Sequence, residues 1–376
     1  MSERSEVPQL SGGTREIVWT EEDLRAIPNT ISITKQVGET HPQLGSRVAF
    51  IKVCDCGEMG LLQISSVGQG KTKCLEAIKK SPHKKLMTKK FTLASSNKFL
   101  TAIFTNSEVT WVALELEDMS PTVLENMFRV ACDLLEDHEC DIKTAHYECD
   151  IKNSRISFLL ACTYEMYNKM WEMHTWKGNN KERIMRYFVF EYNVKKINLA
   201  VPSFHITMNY PPLEKIMVTE NDWFREVVDL LRNQFSFSRA YEYAIRLMRG
   251  SAALNHRDFT VDADAKFILL HSANIEAEKW ASSKKSLASS LVLDIDALQL
   301  LSESLVTFGV SIDELIKREG MDNSSSIIRS VYKYPNLFKK IDDWVFPAYS
   351  IIIDTIAPQM EFERFCIEEG EKYYLH

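Results

Sequence analysis

The sequence predicts an α/β protein in which a parallel sheet carries helices on both faces and is followed by a helical C-terminal half. Apolar segments of strand length alternate with helical segments in the first half of the chain, which is typical of a parallel sheet. A glycine-containing loop joins one of these strands to a helix. From about residue 221 onward, apolar residues recur mainly at helical spacing. We therefore expect a sheet domain followed by helices.

Local patterns place the elements in chain order. After an N-terminal tail, a short helix capped by Thr20 is predicted at residues 18–27, and residues 47–53 and 60–65 have the apolar pattern of strands. The further predicted strands lie at residues 91–96, 109–116, 156–161 and 187–190, with helices at 97–104 and 121–135. Helices at residues 223–235, 238–254 and 262–280 follow.

The composition excludes few functions. The chain has 376 residues, 45% of them apolar, which suffices for about two or three domains. A formal net charge of -7 argues against a protein that coats nucleic acid, so any DNA contact must come from a local patch or a channel between subunits. The N-terminus has no signal, transit or membrane pattern, and the eight scattered cysteines indicate reduced thiols. We expect a cytoplasmic protein, or a nuclear one in a host with a nucleus.

Residues 65–72, Ser-Ser-Val-Gly-Gln-Gly-Lys-Thr, have the pattern of a phosphate loop between a strand and a helix, and we call them the phosphate loop; an ordinary loop is the alternative. Gly68 and Gly70 allow the backbone N–H groups to point inward, where the helix N-terminus also favours an anion. Lys71 would reach the β- and γ-phosphates, and the Thr72 hydroxyl would ligate Mg²⁺. The usual pattern begins with Gly where Ser65 stands. The residues expected to contact a nucleotide are Ser65, Ser66, Val67, Gly68, Gln69, Gly70, Lys71, Thr72 and Lys73.

Polar residues end two of the predicted strands. Glu117 and Asp118 follow the strand at 109–116, where nucleotide hydrolases need acidic groups to face Mg²⁺ and the attacking water. Their order does not decide which holds the metal and which polarises water, and Glu115 is a lesser candidate. Thr163 ends a neighbouring strand, where it could touch the γ-phosphate or the water. The alternatives are a solvated acidic turn and a structural threonine.

Arg183 and Arg186 precede the strand at 187–190 and are expected at a domain edge. An arginine there could reach the nucleotide of a neighbouring subunit as a finger, and Arg183 is the candidate. Surface arginines in ordinary ion pairs are the alternative interpretation.

By these residues the chain resembles the AAA+ ATPases over roughly residues 40–275. The helical block 238–264 looks like the lid of the minichromosome-maintenance and related helicase-like members, including its closing His-Arg-Asp-Phe-Thr-Val-Asp run. The resemblance implies ATP and Mg²⁺ as cofactors, a homo-oligomeric ring such as a hexamer, and Arg239 as the nucleotide sensor of the lid.

The C-terminal block is similar to a winged helix-turn-helix. After a Ser/Lys-rich linker at 282–290 come predicted helices at 293–306, 311–319 and 323–334, with a turn at 320–322 and a wing at 337–345. Basic residues cluster there although the tail as a whole has more acidic than basic residues. The residues expected to contact DNA are Lys317, Arg318, Arg329, Lys333, Lys339 and Lys340.

A second cluster has the residue types of a zinc site. His138, Cys140, His146 and Cys149 are potential ligands, but their spacing fits no common finger. We interpret this stretch as a polar connector or hairpin before the strand at 156–161.

The predicted domains are an N-terminal tail and lead-in (1–40), an AAA+ ATPase core (41–215), a helical lid (216–281), the linker (282–290) and the winged helix-turn-helix (291–376). The predicted function is Mg²⁺-dependent ATP hydrolysis coupled to remodelling of, or movement on, nucleic acid. Two alternatives stay open: a protein-remodelling ATPase whose winged helix docks a protein, and a nucleotide switch that regulates by binding DNA.

Overall fold

The computed structural model describes residues 17–80, 85–88, 108–114, 116–144, 147–173, 176, 180–191, 200–207, 209–284, 291–348, 351 and 356–373. Its strands are β1 (Gly60–Ile64), β2 (Lys85–Thr88), β3 (Glu108–Ala113), β4 (Cys140–Thr144), β5 (Tyr147–Ile151), β6 (Arg155–Cys162), β7 (Met185–Phe188), β8 (Ser282–Lys284), β9 (Leu291–Leu293), β10 (Val310–Ser311), β11 (Phe338–Ile341) and β12 (Trp344–Pro347). Its longer helices are α1 (Glu21–Ala26), α2 (Pro28–Gly38), α3 (Gly45–Cys56), α4 (Lys71–Lys80), α5 (Pro121–Glu136), α6 (Tyr164–Glu172), α7 (Asp222–Leu231), α8 (Phe237–Leu254), α9 (Asp262–Leu269), α10 (Ser272–Trp280), α11 (Ile295–Thr307), α12 (Ile312–Lys333) and α13 (Ala357–Glu369).

The centre of the fold is a five-stranded sheet in the order β2-β3-β6-β1-β7, and all neighbouring strands are parallel. Consecutive residues of β1 point to opposite sides: Leu61 belongs to one hydrophobic core and Leu62 to the other. Helices α2, α3, α4 and α8 contribute to the first core, and α5, α6 and α11 to the second. The parallel sheet with helices on both faces is therefore confirmed.

Several predicted elements are confirmed. Thr20 caps α1 through a reciprocal capping box with Asp23. The strands predicted at 60–65, 109–116, 156–161 and 187–190 correspond to β1, β3, β6 and β7, and the helix predicted at 121–135 is α5. The prediction did not include β2, and the elements expected at 91–104 lie outside the described residues.

The strand predicted at 47–53 is wrong, because these residues belong to helix α3. Residues 45–55 are all buried, since α3 lies between α2, α4 and α8. A helix that is buried on every side needs no amphipathic period, so its apolar run cannot be distinguished from that of a buried strand.

The helical block packs closely on the sheet domain. Helix α8 contacts α3, and α10 contacts β7. The helix predicted at 262–280 is two helices, α9 and α10, separated at Leu270 and His271. His271 is buried, with its Nδ1 2.8 Å from the Tyr187 hydroxyl.

The helix-turn-helix prediction is wrong, because one continuous helix, α12, spans the two predicted helices and the predicted turn at 320–322. Gly320 is the only glycine or proline in this segment, and one glycine costs a helix only about 1 kcal/mol, which 22 residues of helix can absorb. The predicted β-stretch at 337–345 forms a hairpin of β11 and β12, which β10 extends to a three-stranded antiparallel sheet.

The predicted linker is in part a strand. β8 pairs with β9 in an antiparallel hairpin, while residues 285–290 lie outside the described residues. The last long helix, α13, returns to α2 and α3. There the buried carboxylate of Glu363 accepts hydrogen bonds from the Ser46 N–H (2.9 Å) and hydroxyl (2.7 Å) near the start of α3.

Among the helices of the described residues, we find none with the length and apolar composition that a membrane span requires.

Candidate functional site

The phosphate loop lies at the carboxyl edge of the sheet, between β1 and α4. Strands β2, β3 and β6 lie on one side of β1, and the later strand β7 lies on the other side. The direction in which strands are added to the sheet therefore reverses at β1. Open parallel sheets bind ligands in the crevice outside the strand ends at such a switch point. The loop thus occupies the position where the topology itself favours a ligand.

Both glycines of the loop have left-handed backbone conformations, with φ of +87° at Gly68 and +69° at Gly70. Gly68 is open to solvent, but a Cβ added at Gly70 would lie 2.9 Å from Nη2 of Arg47 and 3.1 Å from Leu44. Only glycine therefore fits at position 70 without displacing its neighbours. Helix α4 begins at Lys71, and Thr72 is exposed in its first turn.

Lys71 folds back across the loop. Its Nζ donates to the Ser65 carbonyl (3.0 Å), the Ser65 hydroxyl (2.8 Å) and the Ser66 carbonyl (2.8 Å). Burial lowers the pKa of Lys71 to about 8, although the negative charge of Glu117 opposes the shift. The ammonium is therefore held at the loop and is mostly protonated at neutral pH.

The acidic and polar strand ends meet beside this lysine. Glu117 and Asp118 are exposed in a short 3₁₀ turn, Leu116–Asp118, just beyond β3. Glu117 Oε1 accepts a hydrogen bond of 2.8 Å from the Thr163 N–H at the end of β6. The Thr163 hydroxyl accepts from the Met166 N–H (3.2 Å), so this threonine also caps α6. Glu115 lies outside the described residues.

A cavity of about 630 Å³ adjoins the Glu117–Thr163 contact. Methionines form much of its wall and three glutamates lie around it. It is lined by Glu117, Met119, Pro121, Leu124, Thr163, Glu165, Met166, Lys169, Glu172 and Met173.

Arg183 and Arg239 do not lie at the phosphate loop of their own chain. Both pair with Glu136 at the end of α5, with Arg239 Nη2 2.6 Å from Glu136 Oε1. This cluster lies at the opposite, amino edge of the sheet, since the Arg183 carbonyl is only 2.8 Å from a Cβ added at Gly60, the first residue of β1. Arg239 therefore does not contact the phosphate loop of its own chain in this geometry, and its role as the nucleotide sensor of the lid stays a prediction.

Arg186 is buried and does not lie at the surface. It is 3% exposed and its Nη2 lies 2.9 Å from Glu278 of α10, so it cannot reach a neighbouring subunit. Arg183 keeps about a fifth of its side chain exposed, and its role as a finger stays a prediction.

Residues 256–262, the run by which the helical block resembles a helicase lid, lie where contacts hold helices together. Arg257 donates two hydrogen bonds to the Asp264 carboxylate (3.0 and 2.5 Å) and one to the Ala26 carbonyl. Asp264 also accepts from the Val261 N–H and so caps α9. These contacts fix the helical block to the N-terminal helices.

The His/Cys stretch is the hairpin β4–β5, as interpreted from the sequence. Cys140 starts β4 and is buried, and His146 lies outside the described residues. Within the part of the chain that the structure describes, no three His, Cys, Asp or Glu side chains come together as a metal site.

Five of the six residues predicted to contact DNA are exposed on the C-terminal block: Lys317, Arg329, Lys333, Lys339 and Lys340. Of these, Lys333 pairs with Asp294 (3.0 Å), and the side chain of Arg318 lies outside the described residues. Two large apolar side chains of the hairpin, Ile341 and Trp344, are each nearly half exposed and are paired across the strands.

Two contacts of the loop were missed by the sequence analysis. Arg47 of α3 donates to the Gln69 carbonyl, and the Gln69 side chain bonds to Ser302 of α11. The one available signal for the contact of Arg47 was its position next to the apolar residues 48–51, because an arginine that is buried among apolar residues needs a partner. No local pattern indicates the second.

Comparison with protein-family models found no match, and neither did a search of curated proteins.

Proposed function

We propose that this protein binds ATP with Mg²⁺ at the phosphate loop and hydrolyses it. The observation that carries the proposal is the convergence of Lys71 with the Glu117–Thr163 contact at the carboxyl edge of the sheet. A cation for phosphate, a carboxylate for water and a polar strand end are the groups that phosphoryl transfer to water requires. Lys71 begins α4, Glu117 follows β3 and Thr163 follows β6, so three separate elements supply these groups.

The donor set fits Mg²⁺. The Thr72 hydroxyl and the carboxylates of Glu117 and Asp118 are exposed oxygen groups, which this hard cation prefers. Bound Mg²⁺ would neutralise charge on the β- and γ-phosphates. Glu117 would orient water, because the Thr163 N–H fixes one oxygen of its carboxylate and leaves the other for a second hydrogen bond.

The proposal includes an AAA+ type of ATPase that works as a ring-shaped homo-oligomer. The order of loop, acidic strand end and polar strand end along the chain supports it. The remote position of Arg183 is compatible with a role at the site of a neighbouring subunit.

DNA is the partner that we propose for the C-terminal block. The exposed Lys339 and Lys340 on β11, with Trp344 on the next strand, combine phosphate-binding charge with an apolar surface that can stack on bases. Nucleic acid remodelling would then follow from ATP turnover. Docking of a protein, or DNA binding by a nucleotide switch, are the competing functions.

The experiment is ATP turnover by the purified full-length chain, with and without single- and double-stranded DNA. Lys71→Ala should abolish nucleotide binding, whereas Lys80→Ala, at the exposed end of the same helix, should not change it. Glu117→Gln should bind ATP and lose turnover. Normal turnover in Lys71→Ala would contradict the site, and turnover that no DNA stimulates would favour a protein partner or a switch.

A further inference from the structure

Arg47 lies directly behind the phosphate loop. It belongs to α3, is 2% exposed, and divides its guanidinium among three partners. Its Nη2 is 3.0 Å from the Gln69 carbonyl oxygen and 3.3 Å from Glu191 Oε1, and its Nε is 3.1 Å from Cys74 Sγ. The guanidinium therefore contacts the loop, the helix α4 and the segment after β7 at once.

The contact with the Gln69 carbonyl determines how one peptide of the loop is oriented. In a planar trans peptide the C=O and N–H bonds point in opposite directions. Because Arg47 binds the carbonyl of the Gln69–Gly70 peptide from behind the loop, the Gly70 N–H must point away from Arg47. Because Arg47 is buried whereas Val67 and Gly68 of the loop are exposed, that direction leads away from the interior, to the side where a phosphate would lie.

We infer that Arg47 is a positioning residue, which orients the Gly70 N–H for hydrogen bonding to a nucleotide phosphate. The inference rests on the proposed nucleotide site. Arginine suits this role because its rigid fork can bind the carbonyl, the Glu191 carboxylate and the Cys74 sulfur together. Glu191 compensates the buried charge, and the left-handed Gly70 leaves room for the guanidinium.

The test compares Arg47→Lys with Arg186→Lys. Arg186 is a matched control, since it is equally buried, pairs with a glutamate and donates to the Lys181, Ile184 and Gln234 carbonyls, but lies away from the loop. The dissociation constant for Mg-ADP is measured by fluorescence titration, and thermal unfolding monitors the fold. We expect affinity to fall about ten- to a hundredfold in Arg47→Lys. Arg186→Lys should bind as the original chain does.

A second measurement uses the unaltered protein and does not depend on how any variant folds. With ¹⁵N-glycine labelling, the Gly70 amide is one of 13 glycine signals. It should shift strongly downfield when Mg-ADP is added, because its proton enters a hydrogen bond to phosphate.

The outcomes separate the two proposals. If the original chain does not bind Mg-ADP, the proposed nucleotide site is wrong and Arg47 has no ligand to orient. If it binds but Arg47→Lys binds equally well, or both arginine variants weaken binding alike, the positioning role alone is overturned. An unshifted Gly70 amide in the ligand-bound protein would also overturn it.

Discussion

The Gln69 side chain and the Ser302 hydroxyl contact each other at two points: Gln69 Nε2 donates over 2.8 Å, and Ser302 Oγ lies 3.2 Å from Gln69 Oε1. Both residues are buried. Ser302 lies in α11, so this contact ties the phosphate loop to the C-terminal block. Any movement of the loop on binding a ligand would act directly on α11.

We expect Ser302→Ala to destabilise the fold by about 1–3 kcal/mol, because the Gln69 amide would stay buried with part of its hydrogen bonding lost. It should also reduce the change that Mg-ADP causes in hydrogen exchange of α11. Ser304→Ala is the control, since Ser304 is equally buried but bonds to the Leu301 carbonyl within its own helix. Equal ligand responses in the two variants would show that the contact transmits nothing.

The pKa of Lys71 leads to a prediction about pH. Burial lowers this pKa to about 8 in the empty loop, and bound phosphates would raise it. Binding therefore takes up almost no proton well below pH 8, about half a proton at pH 8 and nearly one proton well above it. Mg-ADP affinity should be nearly constant below pH 7, fall about twofold from pH 7 to 8 and then fall by up to tenfold per pH unit. Titrations at each pH test this, and Lys71→Arg, whose side chain stays charged, should remove the decline.

Local sequence signals predicted the part of the site that lies in one stretch of chain. The loop with Gly68, Gly70 and Lys71 needs only its own strand, turn and helix, so its pattern was sufficient. Arg47 could not be assigned, because the buried helix that carries it has no amphipathic period. The Gln69–Ser302 contact joins residues 233 positions apart, and only tertiary packing determines it.

Tertiary packing also determines positions in the helical half that a local pattern cannot give. Arg239 was assigned by resemblance to a lid, but its position depends on how α8 packs, and that packing brings it to Glu136. The turn at 320–322 was inferred from a glycine and polar residues, which a long helix tolerates. The wrong strand at 47–53 and the wrong turn at 320–322 both arose where a local pattern allowed two structures and tertiary contacts selected one.

Arg183 can be tested as a finger that acts on a neighbouring subunit. Arg183→Ala should leave ATP affinity nearly unchanged and reduce turnover by orders of magnitude. Arg239→Ala is the matched control, because it removes the other arginine that pairs with Glu136. Similar turnover losses in both variants would point to the shared ion-pair cluster instead of a finger.

Mixing Arg183→Ala with Lys71→Ala subunits should restore part of the activity, and no recovery in a confirmed mixed oligomer would exclude a shared site.

The proposed DNA contact predicts a steep dependence of affinity on salt. Each phosphate neutralised by a lysine contributes a slope of about -0.9 to a plot of log affinity against log salt. Lys339 and Lys340 are both exposed on β11, so replacing them together by Ala should flatten this slope by up to about two. Lys333→Ala is the control: this lysine already pairs with Asp294, so its loss should change the slope less. Arg329→Ala should in addition relax any sequence preference if its side chain reads a base edge. A slope unchanged by the Lys339 and Lys340 replacements would show that the hairpin does not meet DNA, and would favour a protein as the partner of the C-terminal block.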